Sequence, residues 1–167
     1  MPPYGDRRAV DSEPRRRKHT RLPDKTLHAI RGQVVHVVIG TKGKQPHFAQ
    51  PDAAESLVKA VKEAAGEKRM PIYAYCVMPD HVHLLVGGSE TCGVIEFVKI
   101  VKGRFVTSWR RRGGERSPFQ KSFYDHIMRD DEDVYVAAEY IVGNPVRAGL
   151  TKELGEYPYA GSLVWEL

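Results

Sequence analysis

With 167 residues, 41% of them hydrophobic and 28% charged, the chain is long enough for one domain with a substantial core. No apolar run approaches the roughly 20 residues that span a bilayer, and two cysteines, Cys76 and Cys92, exclude a disulfide framework and a cysteine-based zinc module. The net charge of +5 resides in residues 1–32, which hold nine basic and four acidic side chains and leave 17 of each sign to the rest, so a polyanion suits that end of the chain.

Residues 1–30 read as a flexible basic N-terminal arm, rich in proline and charge and without an apolar period, and 31–167 as a single domain. The N-terminus lacks the apolar segment of a secretory signal, so the expected location is cytoplasmic. Val34 to Ile39 is a β-branched strand bounded by glycines. After a Gly/Pro/Lys loop, Asp52 is placed to cap a helix with Ala54, Leu57, Val58, Val61 and Ala65 on one face, ending at Gly66. Ile72 to Met78 is nearly all apolar and reads as a central strand. Pro79-Asp80 turns the chain, and His81 to Val86 returns as its partner. A long amphipathic helix follows, with Val94, Val98, Val101, Phe105 and Trp109 on one stripe, then a weaker strand within Lys121 to Met128. Acidic residues 130–133 suit the N-terminus of a third helix, which must stop near Gly143 because Asn144 precedes Pro145. The order β-α-β-β-α-β plus a helix predicts an α+β, ferredoxin-like (RRM-like) four-stranded antiparallel sheet with two helices on one face.

Alternation puts His81 and His83 on the face of their strand opposite Val82, Leu84 and Val86, which the two long helices must cover. The two imidazoles therefore project side by side from the more open face, at a spacing suited to one metal ion. An H-x-H pair is also what two half-exposed histidines beside a sheet would give. On the third helix Tyr140 falls at the border of the apolar stripe of Val134, Ala137, Ala138 and Ile141, with Asn144 four residues on along the same flank. Singly, Tyr140 is equally an aromatic closing the core edge and Asn144 a helix cap before proline. By alternation Asp80 points away from the histidine face and reads as a turn residue.

Met78-Pro79-Asp80-His81-Val82-His83-Leu84-Leu85, followed by Tyr140-Ile141-Val142-Gly143-Asn144-Pro145-Val146-Arg147-Ala148-Gly149-Leu150, resembles the single-tyrosine HUH transposases, and within them the REP-associated tyrosine transposases. Phe119 to His126 and Tyr157-Pro158-Tyr159 are similar to that branch too, so the resemblance covers roughly residues 31–163. It implies a metal-dependent endonuclease and strand transferase acting on hairpin-containing single-stranded DNA (REP-like elements), through a phosphotyrosine intermediate. By the same resemblance Tyr140 is the nucleophile, carried on a C-terminal helix, and His81, His83 and Asn144 hold Mg²⁺ or Mn²⁺. The protein would act as a monomer or homodimer at the nucleoid, away from membranes.

These residue types suit the chemistry. A phosphodiester exchange needs an oxygen nucleophile in line with the leaving oxygen and positive charge on the non-bridging oxygens. Two rivals stand beside this reading: a non-catalytic single-stranded nucleic-acid-binding module on the same fold, and a phosphoesterase using only the histidine pair. Arg15, Arg16, Arg17 and Lys18, and Arg104, Arg110, Arg111 and Arg112, are the candidate phosphate contacts. Trp109, Phe119, Phe123 and Tyr124 are candidates for base stacking, set against the place of Trp109 on the core stripe and the inward alternation of Phe123.

Overall fold

Two sheet faces of different composition organise residues 33–167, which the computed structural model describes. The chain runs through β1 (Val34–Gly40), α1 (Pro51–Lys68), β2 (Ile72–Met78), β3 (His81–Gly87), α2 (Val94–Arg111), β4 (Tyr124–Ile127), α3 (Val134–Val142), α4 (Asn144–Arg147) and β5 (Ala160–Gly161). Single 3₁₀ turns at Lys42–Lys44 and His47–Ala49 fill the loop before α1. The strands form one antiparallel sheet in the order β4-β1-β3-β2-β5.

On one face Val35, Val37 and Ile39 of β1, Val77 of β2 and Val82, Leu84 and Val86 of β3 form the main core. They pack with Leu57 and Val61 of α1 and Phe97, Val101 and Phe105 of α2. Removing side chains of this size from water contributes about 1.5–3 kcal/mol each, so this face fixes the register. A one-residue slip would turn every valine of β1 to the other side. Among the described residues no helix is long and apolar enough to cross a membrane.

Four strands are expected from the sequence; the sheet has five. After α4 the chain returns along β2, where Ala160 pairs with Cys76 and Gly161 with Tyr75. The Val77 N–H donates to the Tyr159 carbonyl at 2.9 Å, and the Tyr157 hydroxyl donates to the Val77 carbonyl at 2.7 Å. Two residues of strand leave no alternation in the sequence, which is why β5 escapes a pattern reading.

Helix ends differ as well. Gln50, not Asp52, occupies the cap position of α1, with Pro51 in the first turn. The helix runs through Gly66 and stops at Arg69, in the left-handed region (φ 52°, ψ 40°), whose N–H returns to the Ala65 carbonyl. At the head of α3 the Asp133 carboxylate accepts from the Tyr135 and Val136 N–H groups at 2.8 and 3.2 Å, so the acidic run acts through one N-cap.

The second face is the larger correction. It is not open: Val34, Ala74, Cys76, Met78 and Leu85 are buried beneath Ala137, Ala138, Ile141 and Val142 of α3, with Tyr157 and Trp165 at the margin. A sheet face with this many apolar side chains must be covered, and α3 is the element that covers it. The helix bearing Tyr140 therefore lies on the same side of the sheet as the histidines.

Candidate active site

The tight Pro79-Asp80 connection sets Met78 opposite His81 and Cys76 opposite His83. The Nε2 atoms of His81 and His83 face each other at 3.0 Å. That is the spacing of two neighbouring nitrogens each about 2.1 Å from one octahedral ion. Among the described residues no three His, Cys, Asp or Glu side chains converge on one point.

Asp80 does not point away. Its Oδ1 lies 2.5 Å from His81 Nδ1, because the residue sits in the turn, where strand alternation no longer governs direction. On the far side of the pair, His83 Nδ1 lies 3.1 Å from His36 Nε2, with the two rings stacked 5.3 Å apart. His36 in turn lies opposite His126 across β1 and β4, and His126 Nε2 contacts both Glu132 oxygens at 3.0 and 3.1 Å. A row Asp80–His81–His83–His36 thus crosses the sheet, with His126 and Glu132 at its end. Sequence reasoning found the two central members. His36 was legible from the same alternation, since it is the one polar residue in the run Val34 to Ile39 and lies on the side away from Val35, Val37 and Ile39.

Burial, together with His36, His81 and Arg147 nearby, holds His83 well below the ordinary imidazole value. Burial and then the neighbouring His126 bring His36 down to about 4. Both rings are therefore neutral around pH 7 and carry lone pairs, the form that binds metal. Outer partners such as Asp80 and His36 orient ring ligands of this kind. A depressed His36 value means that stability is full above the unfolded value near 6.5 and is lost as pH falls toward 4. In metal-free protein the His36 contribution to that loss should reach about 3 kcal/mol by pH 4. Denaturant melts of wild type and His36→Phe across pH 7 to 4 check it: the variant should show the shallower acid loss.

On α3, half-buried Tyr140 carries the Arg147 guanidinium over its ring, Cζ lying 3.7 Å from the centroid. Arg147 also donates to the Tyr140 carbonyl and to the Asn144 Oδ1, the latter at 2.7 Å. Asn144 opens the short α4 rather than extending α3, with Gly143 between them (φ −77°, ψ −6°). Its side chain is buried and its Nδ2 has no hydrogen-bond partner. A carbonyl oxygen has two lone pairs, so Oδ1 keeps one beyond the Arg147 bond. The helix that carries Tyr140 and the histidine pair belong to one side of the sheet, and Arg147, which contacts Tyr140 and Asn144, also acts electrostatically on His83.

The basic candidates are dispersed. Arg15, Arg16, Arg17 and Lys18 lie outside the described residues. Arg104 pairs with Glu63 and Glu67 on α1, so its charge is already answered. Arg112 donates to the Asp52 carbonyl and lies over Phe105, while Arg110 and Arg111 are exposed. All four are on or just after α2, across the sheet from the histidines. Phe119 and Phe123 are core residues, and Trp109 packs on Phe105, so these three are not available for stacking. Tyr124 instead sets its edge against His36, ring centres 6.5 Å apart.

The profile of the family described as Transposase IS200 like matches residues 29–144. A Haemophilus influenzae protein provisionally named a REP-associated tyrosine transposase is 27% identical over 112 residues, covering 60% of this chain and 64% of that protein. The REP-associated tyrosine transposase of Escherichia coli K12 is 25% identical over 109 residues, 64% of this chain and 62% of its own. The alignments thus span somewhat less than two thirds of these relatives. A solved structure of a REP-associated tyrosine transposase bound to a REP hairpin superposes with a TM-score of 0.63 at 20% identity, covering 79% of this chain and 78% of that one.

Proposed function

The chain belongs to the IS200-like transposase family, and on that premise we propose that it is a metal-dependent endonuclease and strand transferase for hairpin-containing single-stranded DNA, with Tyr140 as nucleophile. The observation that carries the reading is the meeting of two elements on one side of the sheet. The facing His81 and His83 nitrogens stand 3.0 Å apart, and α3, with Tyr140, packs over the same face. Strand order β4-β1-β3-β2 with α1 and α2 on the other face supports a ferredoxin-like arrangement, with β5 added at the edge of β2. The face on which an RRM-like module stacks bases is occupied here by α3, which disfavours the binding-module reading.

His81 and His83, with Asn144 Oδ1, would hold Mg²⁺ or Mn²⁺. A cation bound there supplies positive charge to the non-bridging oxygens of the scissile phosphate. Asp80 and His36 keep the two rings turned so that their Nε2 atoms converge. Tyr140 attacks the phosphorus through its hydroxyl oxygen: a tyrosyl O–P bond forms, the P–O bond to the 3′ oxygen breaks, and that oxygen leaves as a 3′-hydroxyl while the phenol gives up its proton. The phosphotyrosyl ester keeps the energy of the broken bond, so a 3′-hydroxyl can reverse the step and rejoin strands. Hydrolysis alone would need no tyrosine.

The direct test offers the full-length protein a hairpin-containing single strand from its own genomic neighbourhood, with Mn²⁺ or Mg²⁺, and resolves the products under denaturing conditions. A DNA-linked band that disappears with chelator supports the reading. Cleavage with no linked band assigns the chemistry to a histidine-pair phosphoesterase instead.

A further inference from the structure

The Arg147 guanidinium is tied to each of the two side chains that the reaction would need to hold still on α3 and α4. It stacks on the Tyr140 ring with Cζ 3.7 Å from the centroid, donates to the Tyr140 main-chain carbonyl, and donates to Asn144 Oδ1 at 2.7 Å. The junction between the two helices is shaped for it. A Cβ on Gly143 would come within 2.8 Å of the Arg147 Nη1 and 3.2 Å of the Glu139 carbonyl, so the guanidinium fits because residue 143 has no side chain. Gly143 has ordinary helical backbone angles, so its need here is space rather than conformation. Arg147 itself is exposed.

We propose that Arg147 is a positioning residue for the transfer reaction, fixing the plane of the Tyr140 ring and the direction of the Asn144 carbonyl in one clamp. This rests on the reading of Tyr140 as nucleophile. A phenol oxygen reaches in-line geometry only in a narrow range of ring orientations, and half-buried Tyr140 sits in the last turn of α3, three residues before its Gly143 cap. A planar guanidinium can stack on a ring face and still donate from its edge, which an ammonium cannot do at once. The Asn144 amide needs the same help, since its Nδ2 is buried without a partner and Arg147 donates to its oxygen. The sequence stretch Tyr140-x-x-Gly143-Asn144-x-x-Arg147 thus works as one unit, in which the nucleophile, the gap, the amide and the clamp follow one another along two helical turns.

The test compares wild type, Arg147→Ala, Arg147→Lys and Gly143→Ala, the last keeping the arginine but displacing it. Three quantities are measured: the rate of adduct formation at saturating hairpin DNA, the affinity for that DNA in chelator, and the Tyr140 ring resonances in DNA-free protein. Misplacement on the order of 1 Å costs roughly 100-fold. The proposal therefore expects the saturated rate to fall at least about 30-fold in Arg147→Ala and Arg147→Lys and in the same direction in Gly143→Ala. It also expects affinity within about threefold of wild type and displaced Tyr140 resonances in all three variants, with millimolar guanidinium partly restoring Arg147→Ala. A saturated rate within about threefold of wild type for Arg147→Ala overturns it, as do unmoved Tyr140 resonances. A loss confined to affinity overturns it too and makes Arg147 a phosphate contact. If wild type forms no adduct, the nucleophile reading fails and takes this proposal with it; if wild type forms one and Arg147→Ala forms it as fast, only this proposal fails.

Discussion

Tyr140→Phe should abolish both strand cleavage and the denaturation-resistant adduct, by at least about 1000-fold, while melting within about 1 kcal/mol of wild type. The substitution keeps the ring on which Arg147 stacks and the face that α3 turns to the sheet, so the fold loses no packing. DNA affinity and metal binding should survive, because neither depends on the phenol oxygen. Tyr135→Phe and Tyr124→Phe serve as controls. Tyr135 is exposed and set against Trp165, ring centres 5.2 Å apart, and Tyr124 belongs to β4. Both variants should cleave normally in a gel assay of adduct and free product.

The second large effect concerns the histidines. His81→Ala and His83→Ala should each reduce cleavage to background and lower Mn²⁺ affinity at least about 100-fold by calorimetry, since a cation held by few protein ligands cannot spare one. The two variants should differ in stability. His81 is partly exposed and rests on Asp80, so its loss leaves the fold nearly untouched. His83 stacks on His36 beneath the covered face, and its truncation removes that packing and the nitrogen facing His36 Nε2. A loss of about 1–3 kcal/mol is expected there. Unchanged Mn²⁺ binding in His83→Ala would remove the metal assignment.

Much of this was legible in the sequence because two local periodicities governed it. Strand alternation separated His81 and His83 from Val82, Leu84 and Val86, and the 3.6-residue period set Tyr140 at the edge of its apolar stripe. What the sequence hid came from contacts between distant segments. The paired turn geometry at Asp80 overrode alternation and brought a carboxylate to His81. The histidine face looked open because α3, the element that covers it, was read only as a platform for Tyr140. Its small side chains Ala137 and Ala138 are what let a helix lie close to the sheet. His36 and His126 became neighbours of the pair only through the order β4-β1-β3, and β5 was too short to leave a pattern. Arg147 lies three residues after Asn144 in the sequence, yet only its three-dimensional contacts with Tyr140 and Asn144 separate it from an ordinary surface arginine. Arg104, conversely, looked like a phosphate contact until α1 supplied Glu63 and Glu67.

The most direct measurement traps the adduct on a hairpin-containing single strand with Mn²⁺, digests the protein, and locates the nucleotide-bearing residue by mass spectrometry. Eight tyrosines are present, and one of them, Tyr124, stands at the edge of the histidine row beside His36, so the outcome is a real choice between phenols. Tyr140 alone should carry the nucleotide, joined through its 5′-phosphate as a phosphotyrosyl ester. A nucleotide on Tyr124 or any other residue, or adduct-free cleavage in the wild type, would contradict it.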